Sequence, residues 1–203
     1  MAWFILLEML SGLNLGYGLT YLNQCASLLY SKNGWTSVNE RTWHISVLGS
    51  SMIVGQWLGS GIAGKLMRES RRKALFLSII VGVIGCMLTL INVKVFWLLN
   101  FGRFLYGISS GIGSVVTPRF IEDFTPLYLY SIIGTSFVFS QMVGIFLALS
   151  DAYILPSQDD PVALATNSSW RIIFGLPLLF YGIMFMILTF FIKVEGPKFC
   201  IFA

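Results

Sequence analysis

Gly102-Arg103-Phe104-Leu105-Tyr106-Gly107-Ile108-Ser109-Ser110-Gly111-Ile112-Gly113-Ser114-Val115-Val116-Thr117-Pro118-Arg119-Phe120-Ile121-Glu122-Asp123-Phe124-Thr125-Pro126 is the stretch that decides the fold. It reads as an apolar, membrane-crossing helix with one charge near its start and small residues along one side. Gly107 and Gly111 are four apart, so they share a helix face and let a neighbouring backbone approach closely, the small-xxx-small device of membrane helices. Pro118 and Pro126 bracket its exit.

The composition around this stretch excludes an ordinary soluble domain. Hydrophobic residues make up 56% of the chain and charged residues 11%, and the mean hydropathy is strongly positive. Uncharged runs at 9–31, 45–64, 74–93, 95–118 (interrupted by Arg103), 124–150 and 172–192 are each long enough for a hydrocarbon core of about 30 Å. The expected architecture is an all-α membrane protein, one domain over 1–203, with six spans near 5–30, 43–66, 73–93, 95–118, 126–150 and 170–193. The first span begins almost at Met1 with no basic n-region or cleavage site, so targeting is expected to be internal and the chain complete. Cys25, Cys86 and Cys200 have neither metal spacing nor a disulfide framework and read as small packing residues.

Lys and Arg counted on the two sides of six alternating spans give eight on the side of both termini, the 65–73 loop and Arg119, and four on the other. Positive charge therefore places both termini in the cytosol, or in the matrix if the membrane is the mitochondrial inner one. The basic 65–73 loop reads as a turn held at an anionic lipid surface, and the net charge of +4 needs no nucleic acid to explain it.

The opening stretch resembles the fourth span and following loop of the sugar-porter branch of the major facilitator superfamily, where Gly-Arg leads to Pro-x-Tyr-x-x-Glu-x-x-Pro. Arg103 to Pro118 has that spacing, with Phe120 for the Tyr, Asp123 for the Glu and Pro126 as the second Pro. Four further segments follow the family in order. Gly16-Tyr17 leading to Asn23 is similar to its first span, although the polar residue after the Tyr is Gly18 here. Gly64 with Arg72-Lys73 resembles its loop after the second span, but Arg68 and Glu69 reverse the family's acidic and basic positions. Gly134-Thr135 and Gly144-Ile145 resemble its fifth span, a register that puts Val138 at the sugar-binding glutamine and Gln141 one turn further on. Trp170-Arg171 and Val194-Glu195-Gly196-Pro197-Lys198-Phe199 resemble the two ends of its sixth, so Glu195 and Pro197 join the motif residues.

The resemblance implies half of a twelve-span porter, built as two inverted three-helix repeats. It implies contact of Arg72 and Lys73 with Asp123, and a structural role for Arg103. A guanidinium that far into a span needs a partner or a route to water, and Asp151 lies in the right leaflet to meet it. Asn14, Asn23 and Gln141 are the amides able to bind a sugar hydroxyl, with hydrogen bonds between helices as the equal alternative. The glycine faces on spans one, two, four and five leave spans three and six peripheral.

No acidic pair, metal-ligand spacing or phosphate loop appears, so no catalytic residue, metal or cofactor is expected, and no enzyme. Two functions remain. The missing half, Val138 and the reversed loop charges point to a transport-incompetent accessory subunit covered by other membrane subunits, with a mitochondrial inner-membrane respiratory assembly as host. The alternative is a hexose transporter acting as a dimer of halves or with a separate second half. Asn167-Ser168-Ser169 is a glycosylation sequon that matters only in a secretory pathway. For the topology, single cysteines placed in the 65–73 loop and at the C-terminus should label from the same side of the membrane; labelling from opposite sides rejects the six-span count.

Overall fold

The computed structural model describes residues 2–91, 93, 95–125, 130–155 and 168–192, and the elements in them are helical. In chain order they are α1 (Ala2–Gln24), α2 (Ala26–Asn33), α3 (Val38–Glu69), α4 (Arg71–Ile91), α5 (Phe96–Glu122), α6 (Tyr130–Ser150) and α7 (Trp170–Met186). A 3-10 turn, Asp151–Ile154, follows α6, and a π-helical turn, Ile187–Phe191, prolongs α7.

The helix ends follow local chemistry. Gly34 adopts φ 68°, a conformation that favours glycine, and its N–H reaches the Tyr30 carbonyl to close α2. Ser70 is extended and lets the chain reverse between α3 and α4. The expected first span, 5–30, is divided at Cys25 into α1 and α2. Pro118 does not end its helix as expected, because α5 runs a further turn to Glu122.

Among the described residues three helices are by length and composition able to cross a membrane: Val38–Glu69, Arg71–Ile91 and the continuous Trp170–Phe191, with a shorter apolar stretch at Gly134–Ser150. At a rise of 1.5 Å per residue the 32 residues of α3 extend about 48 Å, well beyond a hydrocarbon core. α1 carries one charge, Glu8, and the 96–118 part of α5 one, Arg103. The structure is thus an all-α membrane-spanning bundle.

Ring contacts and ion pairs define two ends of the bundle. At one, Phe4 lies against Phe120 and Phe124, Trp3 stacks on Phe191, and Arg71 pairs with Asp123. At the other, Trp35 stacks on His44 at 4.1 Å beside Phe96, and Lys32 lies over Trp170. Successive long helices therefore alternate in direction. The basic residues Lys65, Arg68, Arg71, Arg72, Lys73 and Arg119 gather at the first end.

Glycine sets the packing. α3 and α5 run parallel and cross so closely that a Cβ on Gly55 would strike the Phe104 carbonyl oxygen and one on Gly59 that of Ile108. The contact is reciprocal, with Gly107 against the Met52 carbonyl and Gly111 against that of Gln56. α1 and α6 make a second parallel crossing of the same kind, Gly16 on the Gln141 carbonyl and Gly144 on the Leu13 carbonyl. These two pairs form the expected glycine-packed layer. The third span is less peripheral than expected, because α4 makes its own crossing of α5 through Gly85 and Gly102 and also packs on α7.

Helices in lipid gain little from apolar burial against each other, so the stability of such a crossing is dispersion between backbones that a side chain would push apart. Gly107→Leu should cost upwards of about 3 kcal/mol, the upper range for an overpacked site, and lower the melting temperature and yield. Gly61→Leu, whose Cβ meets nothing within 4 Å, serves as the control and should melt with the unaltered protein.

Candidate functional site

Arg103 lies in α5, the opening helix of the second half of the chain, and is 1% exposed. Its Nε donates to the Leu48 carbonyl at 3.2 Å, and its Nη2 to the Gly18 carbonyl and the Met52 sulfur, both at 3.3 Å. The guanidinium sits 4.9 Å from the Tyr21 ring centre, a cation–π contact made stronger by the absence of water. Thus α1 and α3 each offer a carbonyl to one cation. The Asp151 partner expected from the sequence is not used. The structural reason is that Tyr17 takes that carboxylate first.

The Tyr17 hydroxyl is bonded to Asp151 Oδ2 and lies 2.9 Å from the Ile173 carbonyl, tying the ends of α1, α6 and α7 together. Burial pushes the Asp151 carboxyl above its ordinary range, and the Tyr17 hydrogen bond works in the opposite direction. Deeper in the bundle Tyr106 donates to Asn14, whose backbone oxygen and Oδ1 lie at 2.6 and 2.5 Å. Ser109 bridges Tyr181 at 2.8 Å and Ser78, so α4, α5 and α7 share a hydroxyl chain. Sequence reasoning missed Tyr106, Ser109 and Tyr181. Their signal was available, because a phenol inside an apolar helix must find an acceptor.

Among the amides singled out from sequence, Asn14 is buried and occupied by Tyr106, whereas Asn23 is exposed and Gln141 half-buried. Asn23 follows Thr20 by three residues and Leu13 precedes Thr20 by seven, so the three fall on one incompletely buried stripe of α1. Gln141 stands at the α1–α6 crossing with its carbonyl against Gly16. Val138, one turn earlier, is 52% exposed. On the other crossing a groove of about 400 Å³ runs between α3 and α5, walled by Trp43, Val54 and Phe104 with Ser46, Ser50 and Ser51 along it. Asn23 on α1 and Gln141 on α6 are thus the two of these amides that the bundle leaves at least partly exposed.

At the basic end the ion pair with Asp123 is made by Arg71, which also donates to the Arg119 carbonyl at 2.5 Å. This corrects the expectation for Arg72 and Lys73 by one and two positions. The reason is the reversal at Ser70, which starts α4 at Arg71 and turns the next residue away: Arg72 reaches the Leu188 carbonyl at 3.3 Å and lies over Phe76, and Lys73 is exposed. Gly64, Lys65 and Arg68 are exposed as well. Pro126, Asn167, Glu195 and Pro197 lie outside the described residues.

A family model described as "Sugar (and other) transporter" matches residues 4–201. Hexose transporter 1 of Plasmodium knowlesi is 25% identical over 96% of this chain, and Glucose transporter 2C of Trypanosoma brucei brucei is 32% identical over 66% of it. The inward-open xylose transporter XylE from E. coli superposes on 96% of the chain with a TM-score of 0.80 at 20% identity. The chain spans 40% of the length of the first of these relatives, 38% of the second and 48% of the third. With a match running nearly from end to end, this integral, multi-pass membrane protein belongs to the sugar (and other) transporter family, a family of transporters and not of enzymes.

Proposed function

We propose that the chain is one body of a two-body sugar transporter, carrying a hexose or pentose between itself and a second copy or a second half. The observation that carries this reading is the extent of the family match, residues 4–201, together with relatives named for hexose, glucose and xylose. Nothing in these likenesses ties the chain to a mitochondrial assembly or to a non-transporting role.

The packing supports two inverted three-helix units, α1, α3, α4 and α5, α6, α7. The second helix of each unit crosses the first of the other, α3 on α5 and α6 on α1, and the third helices α4 and α7 meet behind them. A two-fold exchange of the units reproduces that pattern. In this reading α1, α3, α5 and α6 present the face that a second body would cover, with Asn23 and Gln141 as the hydroxyl-binding amides. Asn14 holds Tyr106 in place instead. Both termini lie inside, where the exposed Lys65, Arg68 and Lys73 rest on anionic headgroups, at about 1 kcal/mol each.

Transport by rocking needs two bodies about one site, so activity should follow pairing. Liposomes carrying the purified chain should take up labelled D-glucose or D-xylose saturably, with chemical cross-links joining two copies. Gln141→Ala and Asn23→Ala should each raise KM about fivefold to tenfold, the loss of one hydroxyl hydrogen bond. Absence of saturable uptake in cross-linked, correctly inserted samples rejects self-pairing. Unchanged KM in both variants removes the amides from the site.

A further inference from the structure

The two parallel crossings repeat each other residue for residue. Gly107 and Gly111 of α5 lie against the carbonyls of Met52 and Gln56 of α3, and Gly12 and Gly16 of α1 lie against those of Phe137 and Gln141 of α6. In the other direction Gly59 of α3 meets the Ile108 carbonyl, and Gly144 of α6 meets that of Leu13. A single register relates all of these contacts, and the sequence carries it. Leu10-x-Gly12-x-x-x-Gly16-x-Gly18 returns as Leu105-x-Gly107-x-x-x-Gly111-x-Gly113, and Gly55-Gln56-x-x-Gly59-x-x-x-Ala63 returns as Ser140-Gln141-x-x-Gly144-x-x-x-Ala148. Burial follows the same register, with Ala63 and Ala148 both shut in and Ile53 and Val138 both exposed. Under this exchange the mate of Gln141 is Gln56.

The exchange also puts the two amides on one face. α4 and α7 lie together on one side of the layer α3, α5, α1, α6, so a two-fold that exchanges the units runs through the layer and returns each face to itself. Counted from Gly55, which points at α5, Val54 and Gln56 stand about 100° to either side. Val54 lines the groove with Phe104, on the flank of α5 between its α3 and α4 contacts, so Gln56 faces the open side of the layer, away from α4. Contacts of Gly18 with Tyr106 and of Gly113 with Ser11 fix the antiparallel levels of α1 and α5. They set Gly16 and Gly111, and with them the two glutamines, three residues apart in level, about 5 Å along the bundle.

Gln56 is half-buried, as Gln141 is, and among the described residues neither side chain makes a hydrogen bond. Each keeps two N–H donors and a carbonyl acceptor available on a face with few other polar groups, and an amide in a membrane bundle needs a partner. We propose that Gln56 is a second sugar-binding amide, the two-fold mate of Gln141, and that a pyranose lies across the seam of α5 and α1 with a hydroxyl on each.

This assignment rests on the transport reading, and equilibrium binding separates the two. The full chain in lipid vesicles is titrated with labelled D-glucose or D-xylose and with the monodeoxy analogues of the sugar bound, and its melting temperature is followed alongside. Gln56→Ala should weaken sugar binding about fivefold to tenfold, the loss of one hydroxyl hydrogen bond. Its melting temperature should be unchanged, because the side chain has no partner in the protein to lose. It should bind one monodeoxy analogue as tightly as the parent sugar, and Gln141→Ala should do so for a different one, with the double variant showing the product of the two losses. Gln56→Met, of similar length and lacking the amide, should match Gln56→Ala and keeps the test open if the alanine variant folds poorly. Full affinity in both Gln56 variants means that Gln56 does not touch the sugar, and leaves the transport reading standing. A loss equal for the parent sugar and every analogue, or a lowered melting temperature in both variants, makes the residue structural and overturns the proposal. No saturable binding by the folded, unaltered chain overturns the transport reading and Gln56 with it.

Discussion

Close approach of helix backbones at glycine is the constraint on which this bundle depends. In a lipid solvent the usual gain from moving apolar side chains out of water is absent between helices, and what remains is dispersion, interhelical hydrogen bonding and fit. The two parallel crossings, α3 on α5 and α1 on α6, meet this requirement with glycine on both sides of each contact, so every carbonyl that would strike a Cβ finds empty space instead. Because α4 adds a further glycine crossing on α5, that helix is fixed from two directions and becomes the centre of the bundle.

Polar groups inside the bundle follow from this arrangement. Once α5 is held, Arg103 has no route to water, and its charge is met by carbonyls of α1 and α3 and by an aromatic face rather than by an acid. Such a cation is stabilised by partial charges on two other helices, α1 and α3, so it favours one placement of those helices against α5. The Tyr106–Asn14 and Ser109–Tyr181 hydrogen bonds have the same effect deeper in the interior. Polar residues such as Asn14 and Tyr106 are thereby committed to the fold, whereas Gln141 is half-buried and Asn23 exposed.

Much of the fold was legible because two signals are local. Long uncharged runs announce helices in a membrane, and glycine at four-residue spacing announces a packing face. Gly107 and Gly111 behaved as read, each meeting a neighbouring backbone, and the structure identifies that neighbour as α3. Other readings failed where they needed a register between elements. A shift of one residue at the Ser70 reversal gave Asp123 to Arg71 instead of Arg72. Asp151 lay at the right level for Arg103, but Tyr17 competes for it, and level along an axis does not decide direction around it. Among the described residues, length and hydropathy pick out three helices able to span a membrane.

By itself the sequence determined that the chain is an α-helical membrane protein, which faces carry glycine, and, through motif order, that it resembles a sugar porter. Those properties depend on composition and on the helical period, which act within a single element. Only the tertiary structure decided which glycine faces meet, which carbonyls Arg103 reaches, and that Asn14 serves Tyr106. The period fixes which residues of one helix share a face, but the rotation of that helix against its neighbours is set by the packing of all of them together, and the environment of every buried charge follows from that rotation.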